Sequence, residues 1–255
     1  MVDNATPASL PASASEAKSP PLTFLTYKWK PKPGYHSTFT GQHVNILARM
    51  VRRRYAKPHR FICYTDDETG IDPNLVDARE IWTDYADLAD FARASASCFR
   101  RLKMFSRDAA EWLGERIVMM DLDVVIVGDL TRLLDRPEDF VINTGAVPFM
   151  PYNGSLMLFT AGARPRLWED FHPVESLAFA RSLRQPHSDD GWIGAKLGPN
   201  EARFTPEDGV YDFRNHIRGK RDDLPDNAVM VIFHGKEDPD GPVAQSYDWV
   251  RENYR

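Results

Sequence analysis

The sequence predicts an α/β fold, one domain built on a parallel sheet with crossover helices. Three observations predict it. A β-prone run, a helical spacing of apolar residues and a second buried run follow one another between Leu22 and Tyr64, a β–α–β order. The most apolar stretch of the chain, from Ile117 to Val127, reads as a central strand broken only by Asp121-Leu122-Asp123. The 42% hydrophobic content over 255 residues suffices for one large core or two closely fused lobes, and neither an internal repeat nor a separating linker is visible.

The elements follow in order. Residues 1–21 are rich in Ala, Ser and Pro and poor in large apolar groups, so they predict a flexible tail ahead of a folded region over 22–255. The first strand starts at Leu22, and a loop with Pro31, Pro33 and Gly34 comes after it. Residues 38–55 place Val44, Leu47, Ala48, Val51 and Tyr55 at helical intervals, with Arg49, Arg52, Arg53 and Arg54 on the opposite, solvated face. Pro58 ends that helix, and Phe61-Ile62-Cys63-Tyr64 is a second strand running into the acidic loop Thr65–Glu68. Ile81-Trp82 reads as a further short strand. A helix is expected over 95–113, carrying Phe99, Leu102, Phe105 and Ala109 on one side. Val141-Ile142, Leu156–Phe159 and Val229–Phe233 supply more strands, and 163–171, 173–184 and 190–197 shorter helices or turns.

Composition excludes several classes. Charges are interspersed and sum to −5, unlike the basic footprint of a nucleic-acid binder. Cys63 and Cys98 are the two cysteines, too few for a disulfide framework, and a reducing cytoplasm is the simplest setting. No apolar run approaches the roughly 20 residues that span a bilayer, so no transmembrane segment is expected. The N-terminus lacks the pattern of a signal peptide.

The sharpest local signal is Asp121-Leu122-Asp123. Two carboxylates two residues apart on a strand share one side, and burying like charges together is costly unless a cation or strong donors compensate. A hard divalent cation with oxygen ligands would relieve the repulsion and leave positions for phosphate oxygens, at the carboxyl end of a strand where open α/β sheets bind ligands. The bland alternative is a turn whose aspartates face water, which four apolar residues on either side argue against. Downstream, His234 closes a strand in Val231-Ile-Phe-His-Gly-Lys; a neutral imidazole ligates Mn²⁺-like ions, and Lys236 could neutralise a diphosphate. Taken alone, such a histidine is more often a packing residue. In Tyr152-Asn-Gly-Ser, a polar turn entering a buried strand, Asn153 could bond sugar hydroxyls and Gly154 admit a sugar ring, while a plain turn fits equally. Asp189 and Asp190 either cap the helix that follows or place a carboxylate beside a reacting sugar.

These four stations, in this order, resemble the retaining family 8 glycosyltransferases, the group of glycogenin and the bacterial lipopolysaccharide galactosyltransferases. The resemblance covers about residues 22–240. It implies a single Rossmann-like nucleotide-diphospho-sugar transferase domain of the GT-A type with a mixed central sheet. It also implies Mn²⁺ (or Mg²⁺) held by Asp121, Asp123 and His234, and a UDP-sugar donor. Thr26 and Tyr27 would contact uracil and ribose, and Arg101, Asp121, Asn153 and Lys236 would lie along the donor. Asp189 and Asp190 would sit beside the sugar, with Lys236 at the leaving diphosphate. The resemblance further implies transfer of a hexose, with retention, to a hydroxyl acceptor whose identity the residues do not name. Two departures stand out: the late motif is compressed to His-Gly-Lys-Glu-Asp-Pro, and Gly191 replaces the last acidic residue of the family's Asp-Gln-Asp segment. Two rival readings are a haloacid-dehalogenase-type phosphatase, with Asp121 as nucleophile and Asp123 as acid/base, and a catalytically silent sugar-nucleotide binder on the same fold.

Overall fold

Strand β1 (Leu22–Lys28) is followed by helix α1 (Gly41–Arg54), then β2 (His59–Thr65) and β3 (Asp77–Glu80). The computed structural model describes residues 21–30, 38–88 and 98–255. The expected tail before Pro21, the loop of Pro31, Pro33 and Gly34, and the start of the helix expected over 95–113 lie outside these residues. Next come a 3₁₀ helix (Cys98–Phe105), α2 (Ala109–Leu113), β4 (Arg116–Met120), β5 (Val124–Ile126), α3 (Leu130–Leu134), β6 (Phe140–Thr144) and β7 (Tyr152–Thr160). The chain continues through α4 (Arg166–Glu169), α5 (Glu175–Ser182), α6 (Asp189–Leu197), β8 (Ala202–Phe204) and β9 (Val210–Asp212). A π-helical turn (Phe213–Ile217), β10 (Met230–Ile232), a 3₁₀ turn (Ala244–Ser246) and α7 (Asp248–Asn253) complete it.

Seven strands form a mixed sheet in the order β3-β2-β1-β4-β7-β6-β8. Parallel pairing joins β3, β2, β1 and β4, whereas β7 runs antiparallel to both β4 and β6. Both faces are apolar, as a sheet covered on two sides requires. Alternation along β1 and β4 sends Phe24, Val118 and Met120 to one cluster and Leu25, Ile117 and Met119 to the other. Helix α1 covers the first face with Val44, Leu47, Met50 and Val51, all fully buried. Thr40 caps it, its backbone N–H donating to His43 Nδ1 at 2.9 Å in a reciprocal capping box. The basic face of α1 does more than meet water: Arg53 donates to the carbonyls of Arg255 and Asn253 at 2.7 and 2.6 Å, tying down the C-terminus.

Several expectations are corrected. Ile117–Val127 is not one strand: β4 ends at Met120, and β5 belongs to a second sheet of three strands, β5-β10-β9. The chain turns between them at Asp121–Asp123. The helix expected over 95–113 is, in its described part, a 3₁₀ helix and a separate α2, because Phe99, Leu102 and Phe105 recur every third residue and eclipse on one face. The strand expected at Ile81-Trp82 lies just earlier, at the polar edge Asp77–Glu80. Tyr152–Ser155 is not a turn but the start of β7, with a register shift opposite Ile142 and Asn143. No helix among the described residues is long and apolar enough to cross a membrane.

Candidate active site at the seam between the sheets

Asp121 extends β4 by one ladder bond, its N–H donating to Ser155 O at 3.0 Å. Asp123 already belongs to the small sheet, its carbonyl accepting from Phe233 N–H at 2.8 Å. The two carboxylates therefore flank the junction, with Leu122 buried between them. They still sense one another, since the charge of Asp121 helps to raise Asp123.

Arg101 is the hub. It comes from the 3₁₀ helix, whose Phe99, Leu102 and Phe105 anchor it in the core, and it is only 6% exposed. Its Nε and Nη2 engage Asp189 Oδ2 at 2.8 and 2.6 Å, and its Nη1 donates to Asp121 Oδ1. Asp190 Oδ1 lies 3.9 Å from Nη2. Burial alone would weaken the guanidinium's hold on its proton, but the three carboxylates outweigh it and raise its pKa well above the ordinary value. Burial pushes up Asp121, opposed chiefly by Arg101. Asp190 is pushed up to about 8 by burial and by the charge of Asp189, against the pull of Arg101.

Asp189 and Asp190 open α6, but neither caps it; Ser188 does, accepting from Gly191 N–H at 3.2 Å. The helix dipole favours carboxylates in this first turn. Asp190 Oδ1 accepts from Gly154 N–H at 2.9 Å. A Cβ at position 154 would fall 2.4 Å from that oxygen, so this glycine is explained by the approach of Asp190. Asn153 Oδ1 is engaged within the sheet, accepting from Ser155 N–H at 3.1 Å and from Asn143 at 3.3 Å.

Asp123 is the odd carboxylate. Its Oδ1 is buried with no hydrogen-bond partner, and burial, then Asp121 and Asp238, raise it well above the usual range. An orphaned acidic oxygen of this kind fits a divalent cation, which would supply the compensation the protein does not. The expected three-ligand cluster is not assembled: among the described residues no group of three or more His, Cys, Asp or Glu stands together as metal ligands. Arg101 takes Asp121, and Asp212 takes His234 Nε2 at 2.7 Å. Burial lowers the pKa of His234, against the opposing pull of Asp212.

Lys236 is exposed just beyond β10. Nearer to His234 stands Arg214, whose Nη2 donates to the His234 carbonyl at 2.8 Å across Gly235. Gly235 has φ +83°, and a Cβ there would strike Arg214. Arg218 pairs with Glu237 beside it. Thr26 and Tyr27 are buried, and both side-chain oxygens have no hydrogen-bond partner among the described residues; Tyr27 packs against Tyr64 and Trp82. The structure thus gathers Arg101, Asp121, Asp189 and Asp190, sets Asp123 beside them, and leaves His234 and Lys236 in the loop beyond β10. Asp212, Arg214 and Asp238 were not anticipated, and no local motif marks them.

No family model and no curated protein sequence matches the chain. Solved structures do. The galactosyltransferase LgtC, in complex with donor and acceptor sugar analogs, superposes with a TM-score of 0.62 at 11% identity, over 90% of this chain and 93% of LgtC. The apo bifunctional glycosyltransferase WbbM matches at 0.55 and 13% identity, over 95% of this chain and 51% of WbbM. The glycosyltransferase GlyE of Streptococcus pneumoniae TIGR4 matches at 0.53 and 10% identity, over 92% and 63%. The expected mixed-sheet fold is borne out: this chain has the fold of these glycosyltransferases.

Proposed function

We propose that this chain, built on a glycosyltransferase fold, transfers a hexose from a nucleotide-diphosphate sugar, with UDP as the nucleotide, to a hydroxyl acceptor. The observation that carries the reading is the buried Arg101 hub joining Asp121, Asp189 and Asp190 next to the unpartnered oxygen of Asp123. Asp121 and Asp123 would hold a divalent cation, with His234 as the further ligand the family resemblance implies. When bound, that cation supplies Lewis-acid stabilisation of the departing diphosphate.

The protein's own groups do the rest. Asp189, buried and held rigid by two bonds from Arg101, would be the carboxylate beside the donor sugar that the family resemblance implies. Asp190, kept protonated near neutral pH, can donate as well as accept a hydrogen bond. Arg214 and Lys236 supply positive charge near the position of the leaving group. The anomeric carbon–oxygen bond to the diphosphate breaks, the acceptor oxygen bonds to that carbon, and the hydroxyl proton leaves with the diphosphate. Retention is the outcome that the family resemblance implies.

The topology counts against the phosphatase rival, which needs its Asp-x-Asp at the first strand; here it follows β4. The test is UDP-sugar hydrolysis with Mn²⁺, expected in the native chain and absent in Asp123→Ala. Phosphate release from a simple phosphomonoester, or tight UDP binding without turnover across an acceptor panel, would overturn the proposal.

A further inference from the structure

Helix α5 has an unusual pattern for a surface helix. Leu177 and Ala180 face the core, yet Val174, Ala178, Phe179 and Leu183 lie exposed on the outer side. Glu175, Arg181 and Ser182 are exposed beside them, so the outer side is mixed and carries an apolar strip large enough to suggest a covering surface. Nearby, the loop between β6 and β7 exposes Val147, Pro148 and Phe149, the last at 61%. Five of the six exposed large apolar side chains among the described residues belong to these two segments.

The two segments are joined. Gln185 Nε2 donates to Phe149 O at 2.9 Å and reaches Leu183 O at 3.5 Å, binding the loop tip to the end of α5. The loop's other side is held by Asn215 Nδ2, which donates to Ala146 O at 2.9 Å. This apolar surface is therefore braced. Arg181 and Arg184 project from the same end of α5, exposed and with no ion pair among the described residues. Arg184 even adopts a left-handed backbone, φ +60°, where glycine is cheaper.

We propose that this face docks on an anionic lipid bilayer, with Phe149, Phe179 and Leu183 entering the interface and Arg181 and Arg184 meeting the headgroups. The chain as a whole carries −5, so attraction to an anionic surface must come from a local basic patch of this kind. Exposed aromatic and aliphatic groups flanked by arginines suit the boundary between headgroups and acyl chains. A second copy is a poorer occupant, since a two-fold contact uses the same patch on both subunits and would gather two copies of Arg181 and Arg184 in one interface. The loop runs directly into Tyr152–Gly154, where Gly154 bonds Asp190, so docking would hold the candidate site beside the membrane surface. Resting on the transferase reading above, the acceptor is then a hydroxyl carried on a lipid.

The experiment is co-sedimentation of the full chain with vesicles of phosphatidylcholine, with and without phosphatidylglycerol, and no donor present. Binding to the anionic vesicles alone is expected, falling at least roughly tenfold in Phe149→Ser and in Arg181→Glu/Arg184→Glu. Phe149 sits on an exposed loop, so its variant should keep the native melting temperature. No anionic binding, or undiminished binding in both variants, overturns the proposal. So does light scattering that shows a dimer abolished by Phe149→Ser in a chain that ignores vesicles. Vesicle binding without UDP-sugar turnover would sink the transferase reading alone, and turnover without vesicle binding would sink the docking alone.

Discussion

Replacing Arg101 with methionine should be the most damaging single change at the site, and its cost should depend on pH. Methionine keeps the apolar stem but removes the guanidinium that touches Asp189 at 2.6 and 2.8 Å and also bonds Asp121. Arg101 and Asp189 are 6% and 2% exposed, so water cannot replace the lost partner. Breaking a buried pair from one side costs about 3–5 kcal/mol. For a domain of this size that is a melting-temperature drop of roughly 6–20 °C. Burial raises Asp121 and Asp190 while Arg101 holds them down, so its loss raises both further, and proton uptake should relieve more of the cost at pH 6 than at pH 8. Urea unfolding followed by tryptophan fluorescence at both values measures the difference. Adding Asp189→Asn removes the stranded charge and should restore more than about 1 kcal/mol, a coupling that neighbours in one network show. If Arg101→Met cost under about 1 kcal/mol at pH 8, or the same at both pH values, the hub would not be what compensates the three carboxylates.

Other outcomes follow from the same geometry. Asp190 is raised from 3.8 to about 8, so between those values the native chain holds a proton that the unfolded chain has lost. Its contribution to stability should fall as pH rises through that window and level off above it; Asp190→Asn should flatten this slope in melting curves at pH 5, 7 and 9. In divalent-free buffer, Asp123→Asn should raise the melting temperature by a few degrees, since it replaces a carboxylate whose Oδ1 is buried without a partner at the candidate site. Mn²⁺ at a hundredfold excess over its dissociation constant should stabilise the native chain by about 2.7 kcal/mol and leave that variant unchanged. Gly154→Ala puts a methyl 2.4 Å from Asp190 Oδ1 and should cost about 1–3 kcal/mol in urea unfolding, largely recovered by adding Asp190→Ala.

Much of this was legible from spacing and polarity. The runs at Leu22, Phe61, Ile117 and Leu156 gave strands because both sheet faces are apolar, and α1 announced itself by the interval of Val44, Leu47 and Val51. Asp121, Arg101, Asp189 and Asp190, picked out one by one, meet through bonds that span up to 88 residues. Other features left no local trace. The chain breaks its apolar run to change sheets at Asp121–Asp123, and a polar edge strand such as Asp77–Glu80 has no buried face to imprint a pattern. The three-residue interval of Phe99, Leu102 and Phe105 did mark a 3₁₀ helix, but α-helical spacing tolerates the same residues. Asp212 and Arg214 reach His234 through tertiary packing that no short window contains.

The change of sheet at Leu122 also means that the two acidic groups are carried on different platforms. One rides with Ser155 in the seven-stranded layer, the other with Phe233 in the three-stranded one. How far apart they stand is then a matter of how the layers lean, not of local rotamers alone. If the proposed cation site holds, substitutions in the apolar cluster that Val118 and Met120 share with Val124 and Val125 should retune the grip on a divalent ion by opening or closing that angle. Selectivity among ions of different radius would thus be adjustable from the core, with every polar residue of the site left untouched.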